Sequence, residues 1–306
     1  MSIELTAILA GTVAAATPII FAGLGELVAE RTGVINLGVE GMMLVGAIAG
    51  FAFASQYDAS VASALLIGGL AGAFMALIFA FFTLSMSTNQ SACGLALTIF
   101  GIGISAFIGQ SYVSTTLPGL TNLNIPGLSE IPVLGPVLFQ QNYVVYLSIF
   151  AFITVWWVLS KTRLGLLLKA VGESPESAHA MGYNVLAIRY GAVLFGGLMA
   201  GIGGAFLSTV YTPMWIENMV AGRGWIAIAL VVFAAWKPTR LMLGAYLFGG
   251  VTILQFHAQA LGIEIPNEFL SALPYLATIV VLVLISRDKK LLKLNLPASL
   301  GKTFSP

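Results

Sequence analysis

The run from Ala62 to Phe82 is apolar on every face. A surface helix would keep a polar stripe at helical period, and a barrel strand would alternate at every second residue. Neither pattern is present, and the run is long enough to cross a hydrocarbon core of ~30 Å. The feature recurs, giving about nine candidate spans at 5–27, 38–55, 60–84, 92–111, 143–160, 189–211, 222–236, 241–260 and 272–286. Lipid offers no partner to free backbone groups, so such spans are helices. With 58% hydrophobic and 8% charged residues, an ordinary soluble domain is excluded. The expectation is an all-α fold, a polytopic transmembrane helical bundle forming a single domain over 1–306.

Charge sets the orientation. Of the 13 Lys and Arg residues, all but Arg223 fall on one face when the spans are counted alternately. Arg31 lies between spans one and two. Lys161, Arg163, Lys169 and Arg189 belong to the 161–188 loop and its far edge, Lys237 and Arg240 follow span seven, and the rest lie in the 287–306 tail. The positive-inside rule places the N-terminus outside and the C-terminus in the cytoplasm. Met-Ser-Ile-Glu lacks the positive region of a secretory signal, so 5–27 is read as a retained span.

Nine spans divide as four, one and four: a first repeat over 1–111, a connecting span at 143–160 and a second repeat over 189–286 of opposite topology. That is the arithmetic of inverted repeats. The second member of each half follows a polar break. One break holds Glu30, Arg31, Thr32, Gly33 and Asn36, the other Trp215, Glu217, Asn218, Gly222 and Arg223. One or two spans are therefore expected to be discontinuous, and interrupted spans at matching positions point to a transport path. Polar groups beside a span cost a few kcal/mol each unless they pair or meet water. On that ground Thr32, Asn36 and Glu40 are candidates for shaping the pathway, and Glu26 and Arg31 for a partnered polar set at the break. Asn89 and Gln90 are amides at the inner end of the same region.

The segment 23–43 reads Gly-Leu-Gly-Glu-Leu-Val-Ala-Glu-Arg-Thr-Gly-Val-Ile-Asn-Leu-Gly-Val-Glu-Gly-Met-Met, and 161–185 continues from Lys-Thr-Arg-Leu-Gly to His-Ala-Met-Gly-Tyr-Asn-Val. Together they resemble the permease subunits of ABC importers in the branched-chain amino acid and ribose permease family. The first segment is most similar to the nucleoside and simple-sugar branch, and the resemblance runs from Pro18 to about Arg287. It implies a bacterial inner-membrane, multi-pass permease that carries nucleosides, with simple sugars such as ribose as the alternative. It also implies a second permease subunit, most simply a paralogue; a cytoplasmic ATP-binding cassette subunit with two nucleotide sites; and an extracytoplasmic binding protein or lipoprotein. ATP and Mg would sit in the ATPase, and no cofactor in this chain. The 161–188 loop would be the coupling element, with Gly172, Glu173, Ala178 and Gly182 matching the family's motif.

The residues agree with that reading. Ser174 suits an N-cap, Pro175 the first helical position and Gly182 a stop, so a short helix lies in the loop. The chain has no Gly-x-x-x-x-Gly-Lys-[Ser/Thr] segment, so ATP would be hydrolysed elsewhere. The outer loop 112–142, rich in Pro, Gly and Asn, offers a landing surface for a binding protein. A rival from another class is a self-sufficient ion-coupled secondary transporter, with Glu40 or Glu26 as its ion site. Cys93 stands alone, and His179 and His257 do not share a segment, which argues against a metal site. The Gly-rich span six, with Gly197 and Gly201, reads as helix packing. Trp156, Trp157, Trp215, Trp225 and Trp236 lie near span ends, where an interfacial belt accounts for most of them; Trp215 and Trp225 also flank the second break.

Overall fold

The computed structural model describes residues 2–260 and 295–304, with scattered positions between 269 and 280. The described residues are helical except for turns, loops and two isolated bridges, Val113 with Trp215 and Thr116 with Met214. Among the described residues ten α-helices have defined bounds: α1 Ser2–Arg31, α2 Val39–Tyr57, α3 Val61–Ala80, α4 Gln90–Gly109, α5 Tyr143–Lys161, α6 Arg163–Glu173, α7 Pro175–Ala180, α8 Val185–Phe206, α9 Arg223–Phe233 and α10 Pro238–Ala260. α3 and α8 each run on through a π-helical turn, at Phe81–Ser85 and Leu207–Tyr211. Thr83 and Thr209 there return their hydroxyls to the carbonyls of Phe79 and Ala205, at 2.8 and 2.7 Å.

Seven helices among the described residues are long and apolar enough to cross a membrane: Leu5–Arg31, Val39–Tyr57, Val61–Ser85, Gln90–Tyr112, Tyr143–Lys161, Val185–Tyr211 and Pro238–Ala260. They match seven of the expected spans within a few residues. The expected span 222–236 is corrected. It is α9, a helix of 11 residues that reaches about 16 Å, half of a hydrocarbon core. Its apolar run is longer than its helix because Ala235 and Trp236 turn left-handed, at φ 49° and 54°. The expected span 272–286 falls for the most part outside the described residues.

α8 is the centre of the bundle, with α1, α2 and α3 packed around it. Missing side chains make these approaches close. A Cβ on Gly46 of α2 would lie 2.5 Å from the Gly201 Cα, and one on Gly68 of α3 would lie 2.7 Å from the Gly46 carbonyl oxygen. The Gly197–Gly201 pair is therefore spent on crossings inside this chain. α2 meets α4 in the same way, since a Cβ on Gly101 would sit 2.5 Å from the Gly41 Cα. Small-residue crossings suit a membrane bundle, where dispersion must hold helices that apolar exclusion does not drive together.

Candidate functional site

The first break begins where α1 ends. Gly33, at φ 90°, donates its N–H to the Glu30 carbonyl, and Val34 donates to Ala29. This is the paired bonding of a Schellman stop, and the left-handed residue it requires is a glycine. The chain then crosses to α2 with its backbone unwound. Four of its free groups are met by side chains. The Ile35 N–H donates to Gln90 Oε1, the Asn36 N–H to Glu26 Oε1 and the Gly38 N–H to Asn36 Oδ1, each at 2.9 Å. The Leu37 carbonyl accepts from Thr98 Oγ1, also at 2.9 Å. Unwound backbone within a bundle needs such partners. The density of amides and acids at this point follows from that need.

Glu40 joins the first break to the second. α9 starts at Gly222, φ 82°, with no side-chain cap of its own. The Glu40 carboxylate supplies the cap from α2: Oε1 accepts from the Gly222 N–H at 2.8 Å and Oε2 from the Gly224 N–H at 2.7 Å. A carboxylate on the free N–H groups and positive end of a helix is favourable twice over. Gly224 permits the approach, because a Cβ there would lie 2.6 Å from the Glu40 Cα. The other end of α9 is held by α1. Trp236 Nε1 donates to Glu30 Oε2 at 2.6 Å, and Arg31 Nη2 donates to the Trp236 carbonyl at 2.7 Å. The short helix is thus fixed at both ends by charged residues of the segment 30–40.

The expected partnership of Glu26 with Arg31 does not form. Five residues apart on one helix, the two point to different faces. Glu26 turns to Asn36, whereas Arg31 turns to Trp236 and, through Nη1, to the Asn295 carbonyl at 3.1 Å. Glu26 Oε2 and Arg31 Nε are buried with no hydrogen-bond partner among the described residues. Thr32, Asn36, Glu40 and Gln90 are all buried. Asn89 is exposed, and its side chain caps α4 by accepting from the Ala92 N–H at 3.0 Å.

The elbow after α5 contains two helices. Gly172 and Glu173 end α6, while Ala178 lies in α7. The short helix expected between Ser174 and Gly182 is α7, with Ser174 as cap, its Oγ accepting from the Ser177 N–H at 3.2 Å. Gly182, φ 88°, stops it with a second Schellman pair, Gly182 to His179 and Tyr183 to Ala178. Glu173 and Gly182 are exposed. Gly172 lies against the Arg31 carbonyl, with no room for a side chain, and Ala178 is buried with Val171, Val185 and Phe304. Lys169 shares a polar recess with Arg31 and Glu173. Burial, and then the Arg31 guanidinium, push its ammonium below the ordinary lysine range.

Several groups here carry no sequence signal of their role. Arg189 reads as the edge of a loop yet is 1% exposed. Trp236 reads as a belt residue but is buried at the end of α9, and Trp215 is buried against Ala47, Ile48 and Phe51. Trp156, Trp157 and Trp225 remain exposed, as a belt requires. Among the described residues, no three His, Cys, Asp or Glu side chains are grouped to hold a metal.

Residues 8–284 match the family model described as the permease component of branched-chain amino acid transport systems. A putative glucose ABC transporter permease of Haloferax volcanii is 38% identical, over 97% of each chain. A nucleoside ABC transporter permease of Lactococcus lactis is 35% identical over 88% of each. A guanosine ABC transporter permease of Bacillus subtilis is 34% identical over 91% of each.

Proposed function

Because this chain belongs to the family of permease components of branched-chain amino acid transport systems, we propose that it forms half of the translocation pathway of an ATP-driven importer for nucleosides. Its likeness to a nucleoside and a guanosine permease, over 88% and 91% of its length, supports the substrate class. Simple sugars are the second reading, favoured by the likeness to a putative glucose permease. In this account the chain lies in the bacterial inner membrane with the N-terminus outside. It pairs with a paralogous permease subunit, takes substrate from an extracytoplasmic binding protein or lipoprotein, and receives motion from a cytoplasmic ATPase with two nucleotide sites, where ATP and Mg bind.

The two halves are inverted repeats about the interlocked breaks. Thr32, Asn36, Glu40 and Gln90 shape the pathway by holding the breaks, and Asn89 by capping α4 beside them. Glu26, with Asn36, and Arg31, with Trp236, form two polar sets in place of one. α7, with Gly172 and Glu173 before it and Gly182 after it, is the coupling element. Its capped, stopped geometry supports that role, since a docking knob must be rigid. An ion-coupled carrier fits less well, because both oxygens of Glu40 and one of Glu26 are already engaged by backbone N–H groups.

The test is uptake into proteoliposomes holding the chain, its partner permease and the ATPase, with binding protein and labelled guanosine outside and ATP within. ATP-dependent uptake that unlabelled nucleosides compete away is the expected result. Competition by ribose or glucose would move the substrate to sugars. Uptake by this chain alone on an ion gradient would overturn the importer reading.

A further inference from the structure

Arg189, on the second turn of α8, has no carboxylate hydrogen-bonded to its guanidinium among the described residues. Nε donates to the Thr32 carbonyl at 3.0 Å, Nη2 to Ser299 Oγ at 3.1 Å, and Nη1 to the Lys302 carbonyl at a longer 3.4 Å. The Phe304 ring centre stands 6.0 Å from its Cζ. Glu176, on α7, is the acid whose charge reaches it. A buried cation served by neutral acceptors is costly, and an apolar side chain of similar size would fill the space at lower cost. What an apolar side chain could not do is hydrogen-bond two separate stretches of chain, Thr32 on one side and Ser299 with Lys302 on the other, at once.

The first stretch is the break, and the second is a strap that reaches the elbow. Residues 297–304 lie across the elbow and the first break together. The Ser299 N–H and Oγ both donate to the Gly172 carbonyl, at 2.9 and 2.7 Å. Two residues on, the Gly301 N–H donates to the Gly33 carbonyl at 3.0 Å. The Lys302 carbonyl also accepts from Gln90 Nε2 at 3.4 Å, and the same Gln90 side chain receives the Ile35 N–H of the break. Phe304 completes the strap by packing with Val171, Ala178 and Val185, its ring 5.8 Å from that of His179.

We propose that Arg189 is a positioning residue for transport, whose guanidinium and the strap 297–304 tie the α6–α7 elbow to the break at 32–38 so that the two move as one body. This rests on the importer reading for its consequence and on the bond network for its mechanism, and the two are measured separately. In the purified complex without nucleotide, Arg189→Met should raise hydrogen exchange in the strap and in 32–38 together. In proteoliposomes it should lower substrate carried per ATP hydrolysed by about tenfold, the scale of ordinary coupling between sites. Arg189→Lys should fall between, since one ammonium cannot span three acceptors. Ser299→Ala keeps Arg189 and removes one hydroxyl, so it covers the case in which Arg189→Met fails to assemble; its uptake per ATP should drop by about threefold. A loosened strap beside unchanged exchange in 32–38, or wild-type uptake per ATP in Ser299→Ala, overturns the proposal. Absence of ATP-driven uptake in the wild-type complex would instead strike the importer reading, while the exchange result would still decide the linkage.

Discussion

Replacing Glu40 tests the joint between the two breaks. Glu40→Ala leaves the N–H groups of Gly222 and Gly224 without their acceptor, in a place where the glutamate itself is 3% exposed. A buried donor stranded in this way costs about 1–3 kcal/mol. Gly222 is half-buried and recovers some of that loss from water, so the pair amounts to about 2–5 kcal/mol of local stability. Glu40→Gln keeps one acceptor and turns an amide N–H₂ toward the other donor, so it should lose about half as much. The assay is proteolysis of the 212–222 segment in the folded complex, under conditions where opening equilibrates before cleavage and the rate follows the open population. At the low end, the Glu40→Ala rate should rise about thirtyfold over wild type. A rise under about twofold, the range of an ordinary surface substitution, would refute the capping account.

Three further outcomes are expected. Asn36→Leu removes the acceptor of the Gly38 N–H, and should impair uptake while the complex still assembles; wild-type uptake kinetics would exclude a role for the break. Glu173→Arg and Gly182→Trp both alter the exposed end of the elbow, and should uncouple ATP hydrolysis from uptake at near-normal expression; coupled uptake at wild-type level in both would remove the docking assignment. Gly201→Leu would drive a side chain into the backbone of α3, and should abolish accumulation of folded protein, read as monodisperse yield in detergent.

The parts of this molecule that sequence discloses are those whose cause is local. Ser174, Pro175 and Gly182 define α7 because a cap, a first-turn proline and a left-handed stop each act within a few residues. Seven spans are visible for the same reason, since hydropathy is summed over neighbours. The limits of α9 are not, because they are set from far away: Glu40 starts it from 182 positions off and Glu30 holds Trp236 from 206. The polar break at 30–40 announces that something must be satisfied there, but not by what. Helix phase turns Glu26 to the Asn36 backbone and Arg31 to Trp236, a choice that spacing in the polar run does not display. Arg189 is the extreme case, since its partners Thr32 and Ser299 lie 157 and 110 positions away.

The importer mechanism depends on the elbow facing the ATPase. Ser177, exposed on α7, can be replaced by cysteine in a Cys93→Ala background and treated with a membrane-impermeant maleimide. Labelling in inverted vesicles, with none in intact spheroplasts, is the predicted result. Labelling from the outer face of spheroplasts would contradict the orientation and, with it, the importer mechanism built on it.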